Sequence, residues 1–576
     1  MSAEPSLYEK LRWHAGRGKR WIKRRAYERS VGKAYRAWLT DAKAITPGTV
    51  DNPISLAVIV PVYNPPVAYL RECLDSVIHQ SARNWQLIVS DDGSNDPQVS
   101  TFLDDFTNEH DGDPRVTVIR GDNGGISTAQ NRALERVTTS HFGWLDHDDA
   151  LDPRCLVEFS NRLHQHPEAL IVYSDEDKCD PKGKHYDVYC KPDFSPELLL
   201  TQMYLCHFTV FETATVRDLG GFRSEMDGAQ DFDLALRFLP QLSREPERVQ
   251  HIALPLYHWR AWSESTALSI DAKPWAQEAA ARAQQAFLDA NNGGEVEPSR
   301  IRGLNDVHPK IVGEPTVSVI IPTIGTRGGR GKTRMVDDAV ASLKAATRMP
   351  IEVIAVTTGV IEDVAGVDHQ IVYECSDFNF AEAVNRGRAH AKGEYLLILN
   401  DDTTVAEGDP IGRMLELAQV PGVGIVGAKL TYPNGKLQHV GIVMLPTGPH
   451  HVHIAHGGDW PGYFGSTLTP RNYSAVTAAA LMVGAETFDA LNGFDTTFAR
   501  DYNDIDFCLR AREAGLRVAW TPYAHFTHYE GSSIVRKTPA ASETAEFQSR
   551  WSHRYTTDPY YSPKLNPHLD RLYEAL

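Results

Sequence analysis

Short apolar runs stopped by proline or by acidic residues recur along the chain, and they recur in pairs. "LAVIVPVYN" (56–64) and "VSVIIPTIG" (317–325) are β-branched runs of strand length ended by proline, the pattern of a buried strand entering a loop. "AQNRAL" (129–134) is matched by "AVNRGR" (383–388), and each leads into a further apolar run that ends in carboxylates: "GWLDHDDALDP" (143–153) and "LLILNDDTTV" (396–405). Later, "GGFRSEMDGAQDFDLALRF" (220–238) pairs with "NGFDTTFARDYNDIDFCLRAREAG" (492–515), and "YHWRAWSEST" (257–266) with "THYEGSS" (527–533). Four elements in one order at a nearly constant offset predict a tandem duplication. Alternating strand and helix signals in the first half of each copy predict a mainly parallel, doubly wound α/β sheet, with ligands at the strand ends.

The acidic clusters pose a physical problem. Asp146, Asp148 and Asp149 repel one another unless a positive charge lies between them, and a cation would supply it. One such cluster is an ordinary acidic turn; two in matching surroundings point to a ligand site.

Between the copies, "KPWAQEAAARAQQAFLDA" (273–290) is alanine-rich and helical, and "NNGGEVEP" (291–298) reads as a break. The expected organisation is a basic helical amino-terminal extension (1–51), a first domain (52–270), a helical linker (271–315) and a second domain with a carboxy-terminal extension (316–576). A chain of 576 residues exceeds one hydrophobic core, as this division requires. Its 42% hydrophobic and 23% charged residues are those of a soluble globular protein, and it has neither a membrane-length apolar run nor a signal-peptide core, so a cytoplasmic location is expected. Seven cysteines without CxxC spacing argue against a zinc ribbon or a disulfide framework. A net charge of −17 argues against a nucleic-acid partner. The exception is residues 10–39, where basic residues from Arg17 to Arg36 accompany Tyr27, Val31, Tyr35 and Trp38 at helical spacing. Two readings stay open there: a helix lying peripherally on an anionic membrane surface, or one packing its apolar edge on the protein body.

The ordered set resembles the family 2 glycosyltransferases of GT-A fold, with an amino-terminal nucleotide-sugar half and a carboxy-terminal acceptor half. The marks are "VPVYNPP", "VSDDGSND", "LDHDD" and "GAQDFDLALR" in the first copy, and "IIPT", "LNDDT", "SAVTAAALMV" and "NDIDFCLRAREAG" in the second. "YSDEDK" (173–178), "YHWR" and "DPYYSPKLN" (558–566) are similar to tandem transferases of bacterial O-antigen, capsule and exopolysaccharide synthesis. The resemblance implies two Rossmann-like GT-A domains in tandem. It implies a divalent metal, Mn²⁺ or Mg²⁺, held by Asp148 and His258 in the first copy and by Asp402 and His528 in the second. The catalytic base maps to Asp231 and Asp504, with Asp233 and Asp506 two residues on. Nucleotide-sugar contacts map to Pro61, Tyr63, Asp91, Asp92, Asn131, Arg132 and Asp146, and to Pro322, Thr323, Asn385, Arg386, Asn400 and Asp401. In place of Asp91 and Asp92 the second copy carries Thr357 and Thr358.

Two other motifs are set aside. "GTRGGRGKT" (325–333) has one residue too many for a Walker loop and reads as a basic loop beside the donor pocket. "HHVHIAHGG" (450–458) reads as an acceptor-side lid in preference to a zinc cluster. The leading expectation is a two-site, metal-dependent inverting glycosyltransferase. It would take UDP-, dTDP- or GDP-sugars and extend a glycan or lipid-linked glycan acceptor. The alternatives are one catalytic domain beside a carbohydrate-holding one, and a non-catalytic scaffold.

Overall fold

The computed structural model describes residues 54–262, 274–328, 333–359, 361–374, 377–529, 539–568 and 572–573. The basic amino-terminal extension, Cys375 and part of the 325–333 loop lie outside the described residues.

The first apolar run forms β1 (Leu56–Val62), every residue of which is buried. It is followed by β2 (Trp85–Asp91), β3 (Val116–Arg120), β4 (His141–Trp144), β5 (Ala150–Leu151), β6 (Ile171–Cys179), β7 (His185–Tyr189), β8 (Thr209–Glu212) and β9 (Val249–Arg260). These make one sheet in the order β3-β2-β1-β4-β8-β6-β9-β5, with β7 on β6. β1 to β4 pair in parallel, as continuous apolar strands covered on both faces do. β8 then enters antiparallel between β4 and β6, so the sheet is mixed.

A short hairpin, β10 (Gly294–Pro298) and β11 (Asn305–Pro309), precedes the second sheet. Its strands are β12 (Val317–Thr323), β13 (Ile351–Thr358), β14 (His369–Tyr373), β15 (Tyr395–Leu399), β16 (Thr403–Glu407) and β17 (Val423–Thr431). Then come the small strands β18 (Leu437–His439), β19 (Ile442–Leu445), β20 (Gly448–His451) and β21 (Arg471–Asn472), and finally β22 (Ala480–Gly484) and β23 (Arg517–His528). The order β14-β13-β12-β15-β22-β17-β23-β16 repeats the first sheet strand for strand.

One side-chain device is also repeated. Asn131 donates to the Phe222 carbonyl and accepts from the Phe222 N–H, both at 2.8 Å. Asn385 does the same to Phe494, at 2.8 and 2.9 Å. The preceding Gly221 and Gly493 have φ of +72° and +64°, and a Cβ on either would lie 2.5 Å from the asparagine Oδ1, so both the turn and the clamp require glycine.

The alanine-rich segment between the copies packs against the first. The helix Pro274–Ala290 buries Ala279, Ala283 and Leu288 in the first copy's core, and Gln284 donates to the carbonyls of Leu200 and Thr201. The expected break at 291–298 contains β10 instead. Alternate Val296 and Val307 meet across the hairpin, a weak strand signal hidden among glycines and glutamates.

The two copies are joined by buried polar contacts. Arg517 of β23 holds Glu197 at 2.8 Å and donates to the carbonyls of Ser243 and Pro421. The Tyr463 hydroxyl donates to the Val188 carbonyl and accepts from the Cys190 N–H, while Phe464 stacks on Tyr189 with ring centroids 4.0 Å apart. Val188 and Cys190 thereby join the second copy's core.

Removing one partner of a buried ion pair strands the other. Glu197→Ala should cost about 3–5 kcal/mol in urea unfolding, whereas the double change Glu197→Leu, Arg517→Met should recover most of it. A second test concerns His251 on β9, buried between Asp175 at 2.8 Å and Asp193 at 3.0 Å. Burial opposes its charge, but the two carboxylates outweigh burial and raise its pKa to about 9. Its folded value lies above the unfolded value of about 6.5, so its stabilisation is complete below that pH and lost as pH rises through about 9. The urea-midpoint gap between wild type and His251→Gln should therefore narrow over that window.

Candidate functional site

The carboxyl ends of β1, β2 and β4 open onto a cavity of about 890 Å³. Pro61, Tyr63, Asp92, Asp146, Asp148 and Asp231 all line it. The loops around it are cross-tied. Asn64 at the end of β1 accepts from the N–H groups of Asn95 and Asp96, and Asp92 accepts from those of Gly124 and Gly125. Asp91 is turned to its own loop, accepting from the Ser94 N–H at 3.2 Å.

Each carboxylate of the first acidic cluster has a different fate. Asp149 is buried, accepting from the Tyr257 hydroxyl at 2.5 Å and the Arg260 N–H at 2.7 Å. Burial first, then Asp148 and Asp146, pushes its pKa well up. Asp148 accepts from the Trp262 indole at 2.7 Å, and Asp146 keeps 41% of its side chain exposed with His207 at 3.9 Å. Asp146 and Asp148 thus present carboxylate oxygens to the cavity, a donor set that suits a hard divalent cation.

In the second copy the matching positions are Asn400, Asp401 and Asp402. Asp401 accepts from the Thr323 hydroxyl at 2.6 Å. Asp402 Oδ1 lies 3.0 Å from His528 Nε2, and the other ring nitrogen, Nδ1, meets Gln438 Oε1 at 3.1 Å. If Nδ1 donates to that amide oxygen, the Nε2 lone pair faces the Asp402 carboxylate. A carboxylate and an imidazole so placed also fit a divalent cation.

Strand register corrects the expected pairing of His258 with His528. Ala150 pairs with His258 on β9, whereas Thr403 pairs with His528 on β23. The matching registers of β1 with β4 and of β12 with β15 set Ala150 opposite Thr404 in the repeat, so His258 corresponds to Thr527 and the counterpart of His528 is Trp259. A one-residue shift reverses the face of a strand. Trp259 lines the cavity, and His258 lies on the other face, 2.6 Å from Asp177 and 3.8 Å from Asp152. There His258, Asp177 and His185 bring ligand atoms within 4.8 Å of one another. The structure does not bring His258 to Asp148.

The helix-opening acidic pairs divide alike in both copies. Asp233 is held by Arg223 and Arg237, and Asp506 by Arg510, Arg550 and the Trp551 indole. Asp231 and Asp504 meet backbone instead: Asp231 accepts from the Phe232 N–H, and Asp504 from those of Ala478 and Ile505. Burial raises the pKa of Asp231, with Asp146 adding to the rise and His207 opposing it.

Other expected contacts are committed elsewhere. Asn131 and Asn385 are the backbone clamps, Arg132 donates to the carbonyls of Asp91 and Asp122, and Arg386 pairs with Glu382 over the Tyr373 ring. Pro322 is buried in β12. Thr357, at the place of Asp91, is buried with its hydroxyl near the carbonyls of Gly359 and Ile371. The histidines of 450–458 scatter: His451 meets His439, His453 meets Ser466, and His456 stacks on Trp460.

The sequence reading missed the far wall. Trp275, Ala276, Ala280 and Gln284, from the helix taken as a linker, line the first cavity with Gly303 to Asn305. The Trp275 ring seats on Gly228, where φ is +94° and a Cβ would come within 2.2 Å of it. A tryptophan in an alanine-rich helix was the available signal.

Comparison with known proteins identifies the family. The family model described as glycosyl transferase family 2 matches residues 57–217 and 318–454. The Sinorhizobium fredii protein y4gI is 37% identical over 536 residues, covering 88% of this chain and 57% of that protein. The O-antigen biosynthesis protein RfbC of Myxococcus xanthus is 32% identical over 529 residues, covering 89% of this chain and 40% of its own length. The chain thus spans about half the length of these relatives. A crystal structure of S. aureus TarS aligns over 41% of this chain and 71% of that one, at 17% identity and a TM-score of 0.29. With the family model matching both copies and long relatives aligned along most of its length, the chain belongs to glycosyl transferase family 2.

Proposed function

We propose that the chain is a metal-dependent, inverting glycosyltransferase with two active sites, one in each of the domains 52–270 and 316–576. It would transfer sugars from UDP-, dTDP- or GDP-linked donors to a growing bacterial surface glycan. The acceptor would be lipid-linked and met at the inner face of the cell membrane, with the basic extension as a peripheral contact. Among the described residues no helix is long and apolar enough to cross a membrane.

The observation that carries this reading is the twice-repeated division of the acidic pair. Asp233 and Asp506 are consumed by arginines, while Asp231 lines the first cavity and Asp504, like it, accepts from backbone N–H groups. Each of the latter would take the proton of an acceptor hydroxyl as its oxygen bonds to the anomeric carbon, opposite the departing diphosphate. The raised pKa of Asp231 brings this base nearer to neutral pH. Asp146 and Asp148, and Asp402 with His528, would hold the cation, whose chemistry when bound is to offset charge growing on the leaving diphosphate.

A second reading, one catalytic copy beside a carbohydrate-holding one, is favoured by Thr357 and Thr358 standing where the first copy has Asp91 and Asp92. The first copy in turn has Trp259 where the second has His528.

Asp231→Asn and Asp504→Asn should each abolish a different product linkage, with losses on the order of 10²–10⁴-fold in initial rate. If only one of them affects every linkage, the other copy is a binding module; if the double variant keeps full transfer, the two-site mechanism is wrong. Release of nucleoside diphosphate from a donor panel should stop with EDTA. Asp148→Ala and Asp402→Ala should each remove one donor activity, and His528→Ala should raise the metal concentration needed at the second site alone. For the first site, the acidic limb of kcat/KM against pH should lie above the ordinary carboxylate range and vanish in Asp231→Asn.

A further inference from the structure

A second concavity, of about 520 Å³, lies between the two copies and shares no lining residue with the first cavity. Its walls come from both copies: Arg162, Asp193 and His251 from the first, Arg512 and Arg554 from the second. Its floor is the "DPYYSPKLN" segment, which the proposed transfer chemistry leaves without a role.

That segment is built to hold a shape. The Asp558 carboxylate is buried and accepts from the N–H groups of Met444 and Tyr560 at 2.6 and 2.8 Å. The Pro559 carbonyl accepts from the Asp193 N–H at 2.7 Å, which fixes the segment to the first copy. The Tyr561 hydroxyl donates to the Asn566 carbonyl at 2.5 Å and closes the turn.

The charge around this shape is unusual for a chain of net −17. Three guanidinium groups and the His251 imidazole face one concavity whose carboxylates, among the described residues, are Asp193 and Asp558. Asp193 is shared with His251; Asp558 is held by backbone N–H groups, and the Arg512 charge opposes the rise in its pKa that burial imposes. Arg512 donates to Ser474, and Arg554 pairs loosely with Glu513 at 3.2 Å. Arg162 is half-buried, and its guanidinium makes no hydrogen bond or ion pair to a described residue; burial draws its pKa down, with Asp193 and Glu158 opposing. A half-buried cation left open toward a concavity is stabilised by an anion entering it. Half-buried Tyr555 and the prolines Pro559 and Pro563 supply apolar faces of the kind that pack on sugar rings, above the buried ring of Tyr561.

We infer that the cleft between the copies is a binding site for an oxyanion-bearing saccharide, whose carboxylate or phosphate meets Arg162, Arg512 and Arg554 and whose ring packs on Tyr555. The inference rests on the reading of the chain as a transferase acting on a growing glycan. Because both copies form the walls, the bound glycan touches both halves while leaving both acidic clusters open.

The test is calorimetric titration of the full chain, without nucleotide, with three probes: a uronate-containing tetrasaccharide, glucose 1-phosphate and a neutral tetrasaccharide. Wild type should bind at least one anionic probe and not the neutral one. Affinity should fall at least tenfold in Arg162→Gln, Arg554→Gln and stay unchanged in Asp148→Ala, Asp402→Ala. Binding of the tetrasaccharide alone identifies a uronate as the anion, and of glucose 1-phosphate alone a phosphate. The rim variant Arg554→Gln should weaken binding by itself, which serves if the double variant fails to fold. Failure of both anionic probes to bind, equal binding of the neutral one, or unchanged affinity in the variants would overturn the inference. Nucleoside diphosphate release measured in parallel should be unaffected in the arginine variants; its absence from wild type would count against the transferase reading and not against the cleft.

Discussion

Carboxylates crowded at the end of a buried strand cannot all be charged and unpaired, and much of each site is an answer to that constraint. In the first copy Asp149 is buried beneath Tyr257 and the Arg260 backbone, and Asp148 is steadied by Trp262. In the second, threonine replaces the buried carboxylate and an imidazole faces Asp402. The same economy governs the helices that open with paired carboxylates, where arginines neutralise Asp233 and Asp506 and leave Asp231 and Asp504 to backbone N–H groups.

Much of this was legible in the sequence because it depends on local pattern. Proline-stopped β-branched runs gave β1 and β12, and the order of matched motifs foretold two sheets with one strand order. The acidic clusters and the pairs Asp231/Asp233 and Asp504/Asp506 were visible as residue types. Their division into ion-paired and open members was not, since the arginines that decide it include Arg550, 44 positions from Asp506. His258 and His528 look equivalent as letters, but which face a strand residue takes depends on its pairing partner, and one step exchanged a histidine for Trp259. Asn131 and Asn385 were noticed for recurring, and the reason they recur is a clamp on a distant glycine turn.

The two copies use their shared fold differently. One has a carboxylate pair at the end of β2 and an indole beside its acidic loop; the other has threonines at the end of β13 and an imidazole. Such exchanges leave the sheet unchanged, because they fall on loops and strand ends where little packing is at stake. The contacts between copies, by contrast, are buried: a guanidinium on Glu197, a tyrosine hydroxyl on strand backbone and two apolar side chains contributed to the neighbour's core.

The helix Pro274–Ala290 and the hairpin after it bear on how such a duplicated chain can be recombined. They supply a wall of the first cavity, and Tyr523 of the second copy donates to Asp306 of the hairpin at 3.1 Å. A first module cut out at the apparent boundary near residue 270 would leave its own cavity wall behind on the chain it came from. The natural seam for transplanting the first unit lies beyond Pro309, where β11 ends, and even there the unit carries away surface shaped to its neighbour.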